Sequence, residues 1–416
     1  MSIKSFIASI FVLFAILTNQ QILAQAQKQN SLGIADSLYS DSLKEERHFW
    51  IQLPENYDPS GNIAYPVVYI LDGDVQLPTL ETVYENYWGH YLPHMILVGI
   101  SNATNRTRDL TTSEMTERRG ASMQQETGGA EAFTAFIENE LIPHIDKAYR
   151  TTSYRTLIGH SYGGLFTINI LINQGHLFKN YLAIDPSLDW DDQKVLKEAK
   201  SKLQTQDLKG KSVFVSLAAE QLHMFDASVT KHNVMQDSTE FTLFARSIID
   251  FSNFAETLKP NGLTFDWKVY PNDLHGTIPL PSMRDGLIFM FEWYQFRSPQ
   301  KYNNPDTTVE EIEALLKTQE AILTEGFGYP TPPMIEELFN GYGYMNLQMG
   351  QPEKAFLFFK KNIDYYPKSP NAYDSMADYY EGQGNMTEAL KHVTKAYELS
   401  GDIIYKNRMD TLRVKD

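Results

Sequence analysis

Apolar and polar residues follow one another in two different ways along this chain. Between residues 46 and 298, short apolar runs of strand length alternate with longer segments of helical period, a pattern typical of a sheet covered by helices. The strand candidates are residues 49–53, 67–71, 95–100, 155–158, 181–184, 211–217 and 264–270, and the helix candidates are 130–149, 165–172, 240–258 and 283–296. After a turn-rich stretch at residues 298–306, only helical periods remain. We therefore predict a three-layer α/β domain followed by a small all-α region.

The all-α region contains an internal repeat of 34 residues. Gly350 and Gly384 are separated by this period, as are Ala355 and Ala389. Small side chains at this period are typical of tetratricopeptide repeats, in which two helices approach closely. Two repeats are fewer than the three usually needed for independent stability, so we expect them to pack on the α/β domain or to bind a protein partner. The predicted segments are a linker with a lead-in helix, the two repeats and a C-terminal tail, at residues 299–335, 336–403 and 404–416.

The first 26 residues form a separate segment. Lys4 is the only charged residue before position 28, an apolar core follows at residues 6–17, and Ala24 and Ala26 form an A-x-A cleavage site. This pattern is typical of a signal peptide and is too short for a membrane span. We therefore predict export, to the periplasm or the medium, of a mature protein whose α/β domain spans residues 27–298.

Composition narrows the function classes. The chain has no cysteine and a formal net charge of −16. Without cysteine there is no lipoprotein anchor and no disulfide. An acidic protein is also a poor ligand for nucleic acids and for anionic lipids. We expect no nucleic-acid partner and no stable membrane anchor.

A Gly-x-Ser-x-Gly motif lies at residues 159–163, between the apolar run 156–158 and the helical run 165–172. A strand, a sharp turn and a helix in this order are typical of a nucleophile elbow, which raises a serine hydroxyl above the end of a sheet. We expect glycine on both sides because side chains two residues before and after the serine would collide with the turn. The free N–H groups of the following helix favour a developing negative charge. Ser161 is therefore the candidate nucleophile.

A serine nucleophile needs a histidine base. Among ten histidines, His275 is the candidate because it follows the strand candidate 264–270 in a polar loop. His90 and His94 are four residues apart, but Pro93 breaks the helix that would bring them together, so we predict no metal site. The mechanism requires no cofactor.

The base in turn needs an acid, which in this kind of fold lies between the serine and the histidine in the chain, just past a strand. Glu220, after the strand candidate 211–217, is the first choice. Asp226 is the second, and Asp185, after the strand candidate 181–184, is the third.

An oxyanion hole needs two N–H donors in place before the charge develops. One is expected at Tyr162, directly after the nucleophile, and the other at Asp74, in the loop after the strand candidate 65–71.

A long polar loop at residues 101–120 carries four arginines. Arg118 and Arg119 are candidates for binding an anionic substrate, whereas we interpret Arg106 and Arg108 as partners of Asp109 or another carboxylate.

With these residues in place, the chain resembles the esterase branch of the α/β-hydrolases, which includes the enterochelin and other ferri-siderophore esterases, esterase D-type enzymes and mycolyltransferases. The resemblance implies an α/β-hydrolase fold in which Ser161 and His275 are catalytic and Glu220 is the acid. Asp185 departs from the pattern, which has serine before Pro186-Ser187, and some such siderophore esterases are thought to act with a Ser-His dyad. The matching stretches are residues 67–73, 98–100, 105–110, 128–143, 155–164, 183–187, 275–276 and 281–286.

We therefore predict an exported serine esterase that acts on a small-molecule ester through an acyl-enzyme, with siderophore esters as the leading substrates. Acyl or acetyl esters of carbohydrates or phenolics are the alternative. An acyltransferase, in which an alcohol replaces water, has the same residues. A hydrolase-like protein that binds a partner through its helical repeats is a further alternative of a different class.

Overall fold

The chain divides between Glu292 and Trp293 into two units. The structure, a computed structural model, describes residues 32–55, 57–59, 63–118, 120–224 and 226–415. The predicted signal peptide at residues 1–26 and the candidate residue Arg119 lie outside these ranges. No helix in the described ranges combines the length and the apolarity needed to cross a bilayer.

An eight-stranded sheet lies at the centre of the first unit, in the order β1-β2-β4-β3-β7-β8-β9-β10. Strands β1 and β2 pair antiparallel, as do β2 and β4, and the pairs from β4 to β10 are parallel. Every residue of β3, β4 and β8 is buried, as expected for parallel strands covered on both faces. A separate hairpin joins β5 and β6. The strands are β1 Ile34–Ser40, β2 Glu45–Gln52, β3 Tyr65–Ile70, β4 Ile96–Ile100, β5 Glu117–Arg118, β6 Ala121–Ser122, β7 Thr151–His160, β8 Asn180–Ile184, β9 Ser212–Ala218 and β10 Thr264–Tyr270.

Helices cover both faces of this sheet. The helices of the first unit are α1 Gly73–Tyr87, α2 Arg106–Leu110, α3 Ala130–Phe136, α4 Ile142–Ala148, α5 Tyr162–Asn173, α6 Trp190–Lys202, α7 Glu220–His223, α8 Leu243–Glu256 and α9 Pro279–Met290. Helices α1 and α9 contact each other and the sheet, and α5, α6 and α8 pack together elsewhere on it. The predicted helix 130–149 consists of α3 and α4 joined by a π-helical turn at Ile137–Leu141. The prediction of a three-layer α/β-hydrolase domain is confirmed.

The second unit is helical throughout its described residues. Its helices are α10 Val309–Phe327, α11 Glu336–Gln348, α12 Pro352–Tyr365, α13 Pro370–Gly382, α14 Met386–Ser400 and α15 Ile403–Lys415. From α11 onwards each helix contacts the next one along the chain. The structure thus has the predicted all-α region, whereas its assignment to tetratricopeptide repeats stays a prediction.

The end of the chain differs from the expected tail. Residues 404–415 lie within α15, whose Met409 and Leu412 join Ala377, Ala389 and Val393 in one apolar cluster. Met409 and Leu412 are buried against small side chains of the two preceding helices, a tertiary contact that the sequence pattern does not reveal.

Candidate active site

Ser161 occupies the turn between β7, which ends at His160, and α5, which begins at Tyr162. Its backbone has φ 60° and ψ −116°, a conformation that non-glycine residues rarely adopt. Three main-chain bonds hold it: the Ser161 N–H donates to Ile184 O at 2.9 Å, and its carbonyl accepts from Leu165 at 3.0 Å and from Ser187 at 3.1 Å. The strained turn is therefore fastened to the end of β8.

The glycines around this turn differ in importance. A Cβ on Gly159 would lie 2.1 Å from the carbonyl oxygen of Gly163, a distance that requires the backbone to move. A Cβ on Gly163 would meet Leu71 Cδ1 at 3.5 Å, which is ordinary contact, whereas one on Gly164 would lie 2.8 Å from Pro186 Cβ. The expected collision therefore exists before the serine. After the serine, a side chain would collide at Gly164, against Pro186, rather than at Gly163.

Asp185 and His275 form a hydrogen-bonded ionisable pair beside this turn. Asp185 Oδ2 lies 2.6 Å from His275 Nδ1, and its Oδ1 accepts the Ala218 N–H at 3.1 Å. Asp185 directly follows β8, has φ 43° and is fully buried. Burial raises the pKa of Asp185, while the hydrogen bond from His275 acts in the opposite direction. The carboxylate can thus hold the imidazole in one orientation and stabilise its charged form.

The predicted acids occupy other positions. Glu220 Oε2 accepts the main-chain N–H of His275 at 2.9 Å, so it contacts the backbone of the loop instead of the imidazole nitrogen. The carboxylate of Asp226 is fully exposed and binds the N–H of Ser228 at 2.9 Å and its hydroxyl at 2.8 Å. The choice of Glu220 as the orienting acid, with Asp226 second, is therefore wrong on this geometry.

The correction has a topological cause. The acid was expected after β9, but the carboxyl end of β8 lies between those of β7 and β9. A residue there reaches the histidine if its backbone turns sharply, which the left-handed conformation of Asp185 provides. The available signal was the acidic residue directly after the strand 181–184, at the position that departs from the esterase pattern.

Two rings pack on His275. The His160 ring centroid is 4.5 Å away, and Phe244 approaches edge-on at 5.6 Å. Burial, then the nearby His275 and Arg106, lowers the pKa of His160 to about 3, so its ring is neutral at physiological pH. His160 therefore adds no positive charge next to the imidazole that must itself become protonated.

Within the described chain, Ser161 Oγ has its hydrogen-bond contact with Ser187 Oγ, at 3.4 Å, rather than with His275. In enzymes without substrate, the bond between nucleophile and base is commonly long and tightens when substrate binds. The side chain of His275 is 33% exposed, which leaves the imidazole accessible to a substrate.

The two predicted oxyanion donors lie in the first turns of helices. Tyr162 is the first residue of α5 and Asp74 the second of α1. First-turn N–H groups have no intrahelical acceptor and attract negative charge. Asp74 and His160 border the same cavity of about 220 Å³, together with Asp72 and Arg106. Their role as an oxyanion hole stays a prediction.

Arg106 and Arg108 pair with carboxylates inside the protein. Arg106 binds both carboxylate oxygens of Asp72, at 2.8 and 2.9 Å, and Arg108 binds Glu45 at 2.6 Å and Asp109 at 2.7 Å. The interpretation of Arg106 and Arg108 as internal partners is therefore confirmed.

Arg118 reaches the residue after the nucleophile. It donates to the Tyr162 hydroxyl and to Asp189 Oδ2, the latter at 2.8 Å. Its guanidinium also lies 5.3 Å from the ring centroids of both Tyr162 and Trp190. These contacts neutralise its charge and hold the Tyr162 side chain, so a role in substrate binding stays a prediction for Arg118.

Comparisons with known proteins find similarity to esterases and to a serine hydrolase. Residues 40–246 match the family described as "Putative esterase". Over 211 residues, 47% of its length, the chain is 29% identical to the ferri-bacillibactin esterase BesA of Bacillus subtilis and covers 73% of that protein. A siderophore triacetylfusarinine C esterase of Aspergillus fumigatus is 29% identical over 39% of this chain, which spans only 59% of that relative. An IroE-like serine hydrolase from Shewanella oneidensis has a similar structure, with a TM-score of 0.65 at 28% identity, over 80% of this chain and 99% of that one.

Proposed function

Since the chain is a carboxylic ester hydrolase, we propose that it is an exported serine esterase that cleaves siderophore esters through an acyl-enzyme. The observation that carries the mechanism is the 2.6 Å pair of Asp185 and His275 beside the strained turn of Ser161. The substrate class is supported by the relatives, because the Bacillus protein is a ferri-bacillibactin esterase and the Aspergillus protein acts on a siderophore.

Acylation proceeds by proton transfer through His275. Ser161 Oγ attacks the ester carbonyl carbon while its proton passes to His275 Nε2, and Asp185 stabilises the resulting imidazolium from Nδ1. The carbonyl oxygen becomes an oxyanion that the N–H groups of Tyr162 and Asp74 bind. The bond between the carbonyl carbon and the alcohol oxygen then breaks, and His275 returns the proton to the leaving alcohol.

Deacylation repeats the same steps with water. A water molecule gives its proton to His275 and attacks the acyl carbon. The carbon–oxygen bond to Ser161 breaks, Ser161 regains a proton from His275, and the carboxylic acid leaves. Each turnover therefore consumes one water and regenerates the enzyme.

The test is hydrolysis of a panel of esters by the purified mature protein and by Ser161→Ala. The panel contains ferric and iron-free siderophores, short acyl esters of phenols, and acetylated sugars. We expect the highest kcat/KM on a siderophore and a loss of several orders of magnitude in Ser161→Ala. A preference for acetylated sugars would contradict siderophore esters as the substrate class. Near-wild-type turnover by Ser161→Ala would refute the mechanism.

Export and the helical unit form two further parts of the proposal. The signal peptide is tested by mass spectrometry of the secreted or periplasmic protein, whose N-terminus we expect at residue 27. For residues 336–403 we propose tetratricopeptide-like repeats that bind a protein partner, a proposal supported by the successive helix contacts from α11 to α14. A protein that co-purifies with the full chain and is lost when residues 293–416 are deleted would support it.

A further inference from the structure

In the loop that carries His275, hydrogen bonds to other elements are made by His275 itself, while Ile278 at the end of the loop is buried. Residues 271–278 connect β10 to α9, and several of their bonds are internal: Leu274 N–H donates to Thr277 Oγ1 at 3.0 Å, and Thr277 Oγ1 donates to Asp273 Oδ1 at 3.0 Å. Leu274 is itself exposed. The position of the base therefore depends on the contacts that His275 makes with other elements.

Two carboxylates accept hydrogen bonds from His275, and they follow two neighbouring strands of the sheet. Asp185, after β8, binds the ring nitrogen of His275 at 2.6 Å, and Glu220, after β9, binds its main-chain N–H at 2.9 Å. The bond to Asp185 fixes the side-chain torsion angles of His275 and therefore the orientation of its imidazole. The second bond fixes the point on the backbone from which the side chain starts.

The sheet register explains why Glu220 is at the right place. β9 and β10 are parallel, Ala218 pairs with Tyr270, and the Ala219 N–H donates to Tyr270 O at 3.0 Å. Glu220 follows this paired end by two residues and His275 by five, so both chains leave the sheet at the same edge. Glu220 also starts the short helix α7, in which Met224 N–H donates to Glu220 O at 2.9 Å. This bond closes the helical turn and holds the backbone of Glu220 in place.

From this geometry we propose that Glu220 is a positioning residue for His275. Glu220 anchors the catalytic loop through the main chain of His275, while Asp185 orients the imidazole. A carboxylate that accepts a backbone N–H forms a charge-assisted bond, which is about twice as strong as a neutral one. A base displaced by about 1 Å loses much of its rate because proton transfer requires hydrogen-bond distance. The inference rests on the proposed catalytic role of Ser161 and His275, and it concerns kcat rather than substrate choice.

Two substitutions separate the acceptor of Glu220 from its charge. Glu220→Gln keeps an oxygen that can accept the His275 N–H but removes the charge, and Glu220→Leu removes both. Asp226→Asn is the matched control, since that carboxylate is fully exposed in the same part of the chain. The readouts are kcat, KM and the thermal midpoint of each variant.

We expect Glu220→Leu to lower kcat about tenfold or more with little change in KM, and Glu220→Gln to stay within about threefold of wild type. Retention of activity by Glu220→Gln, together with a loss of kcat but not of KM in Glu220→Leu, is the result that a purely structural role would not produce.

A folded Glu220→Leu with wild-type kcat would overturn the proposal. Equal losses of kcat in the Gln and Leu variants would also overturn it, because the amide oxygen would then fail to replace the carboxylate. The rate at which a fluorophosphonate labels Ser161 is measured in parallel and needs no ester substrate. If wild type is labelled but hydrolyses no ester of the panel, the substrate proposal fails while the labelling rates of the Leu and Gln variants still decide the role of Glu220.

Discussion

At the scale of single residues, the identity of the acid has the clearest consequence. Asp185→Asn keeps the shape of the side chain but removes the charge that stabilises the imidazolium, so we expect kcat to fall by about a thousandfold. Asp226→Asn should change kcat less than about twofold, because its carboxylate is exposed and accepts hydrogen bonds from Ser228 in its own turn. Steady-state kinetics on one ester distinguish the two. If both variants kept most of the activity, a Ser-His dyad would be the better description.

His160 gives a prediction for stability against pH. Its pKa is about 3 in the folded protein, against 6.5 for the unperturbed side chain. As the pH falls from 6.5 towards 3, the unfolded chain therefore takes up a proton at this site while the folded chain does not. Protonation thus favours unfolding, and each unit of pKa difference corresponds to about 1.4 kcal/mol.

The variant His160→Gln removes this dependence. The difference in the free energy of unfolding between wild type and variant should stay constant above about pH 7 and change in favour of the variant below it, by an amount on the order of a few kcal/mol. Urea unfolding at a series of pH values measures it. A difference that does not vary between pH 7 and pH 4 would contradict a neutral, buried His160.

At the scale of elements, the stability of the turn from β7 to α5 depends on the space for a Cβ atom at each of its glycines. Gly159→Ala and Gly164→Ala place a Cβ 2.1 Å from Gly163 O and 2.8 Å from Pro186 Cβ, respectively. We expect each to lower the free energy of unfolding by about 2 kcal/mol or more, with Gly159→Ala the more damaging. Gly163→Ala is the control, since its Cβ meets Leu71 Cδ1 at 3.5 Å and alanine is favoured in a helix by about 1 kcal/mol. If Gly163→Ala lowered the free energy of unfolding as much as the other two variants, Cβ collision would not explain why the turn needs glycine.

At the scale of the whole molecule, the two units differ in how their cores are built. The second unit buries Tyr302, Ile312, Leu316, Phe339 and Phe358 in one cluster, and α15 closes another cluster near the C-terminus. Trp293 belongs to this unit by its edge-on contact with Phe327 at 4.8 Å. The lead-in helix α10 and the terminal α15 thus supply apolar contacts that two repeats alone would lack.

We therefore predict that residues 293–416 expressed alone unfold cooperatively and remain monomeric, contrary to what the count of two repeats suggested. Circular dichroism during heating and size-exclusion chromatography measure this. Residues 27–292 contain Ser161, Asp185 and His275, so they should still be labelled by a fluorophosphonate. A helical fragment that melts without a transition or self-associates would mean that its surface needs another partner. An unlabelled but folded 27–292 would mean that the second unit is required for activity.

The sequence alone determined the features that depend on neighbouring residues. The alternation of apolar runs predicted the α/β-hydrolase layers, and the glycines around Ser161, placed between a strand and a helix, indicated a nucleophile turn. Strand periodicity and turn geometry are set within a few residues, so they can be read along the chain. His275 was predicted in the same way, because its polar loop follows the strand candidate 264–270.

Only the tertiary structure decided which carboxylate serves the histidine. Asp185, Glu220 and Asp226 all come after a strand candidate, and the distance of each from its strand does not tell which one reaches the histidine. Asp185 reaches the imidazole because β8 lies between β7 and β9 and because its backbone adopts a left-handed turn. The contact joins residues 90 positions apart at 2.6 Å. Such a contact depends on sheet order and on how three loops meet at one edge, which no local pattern encodes.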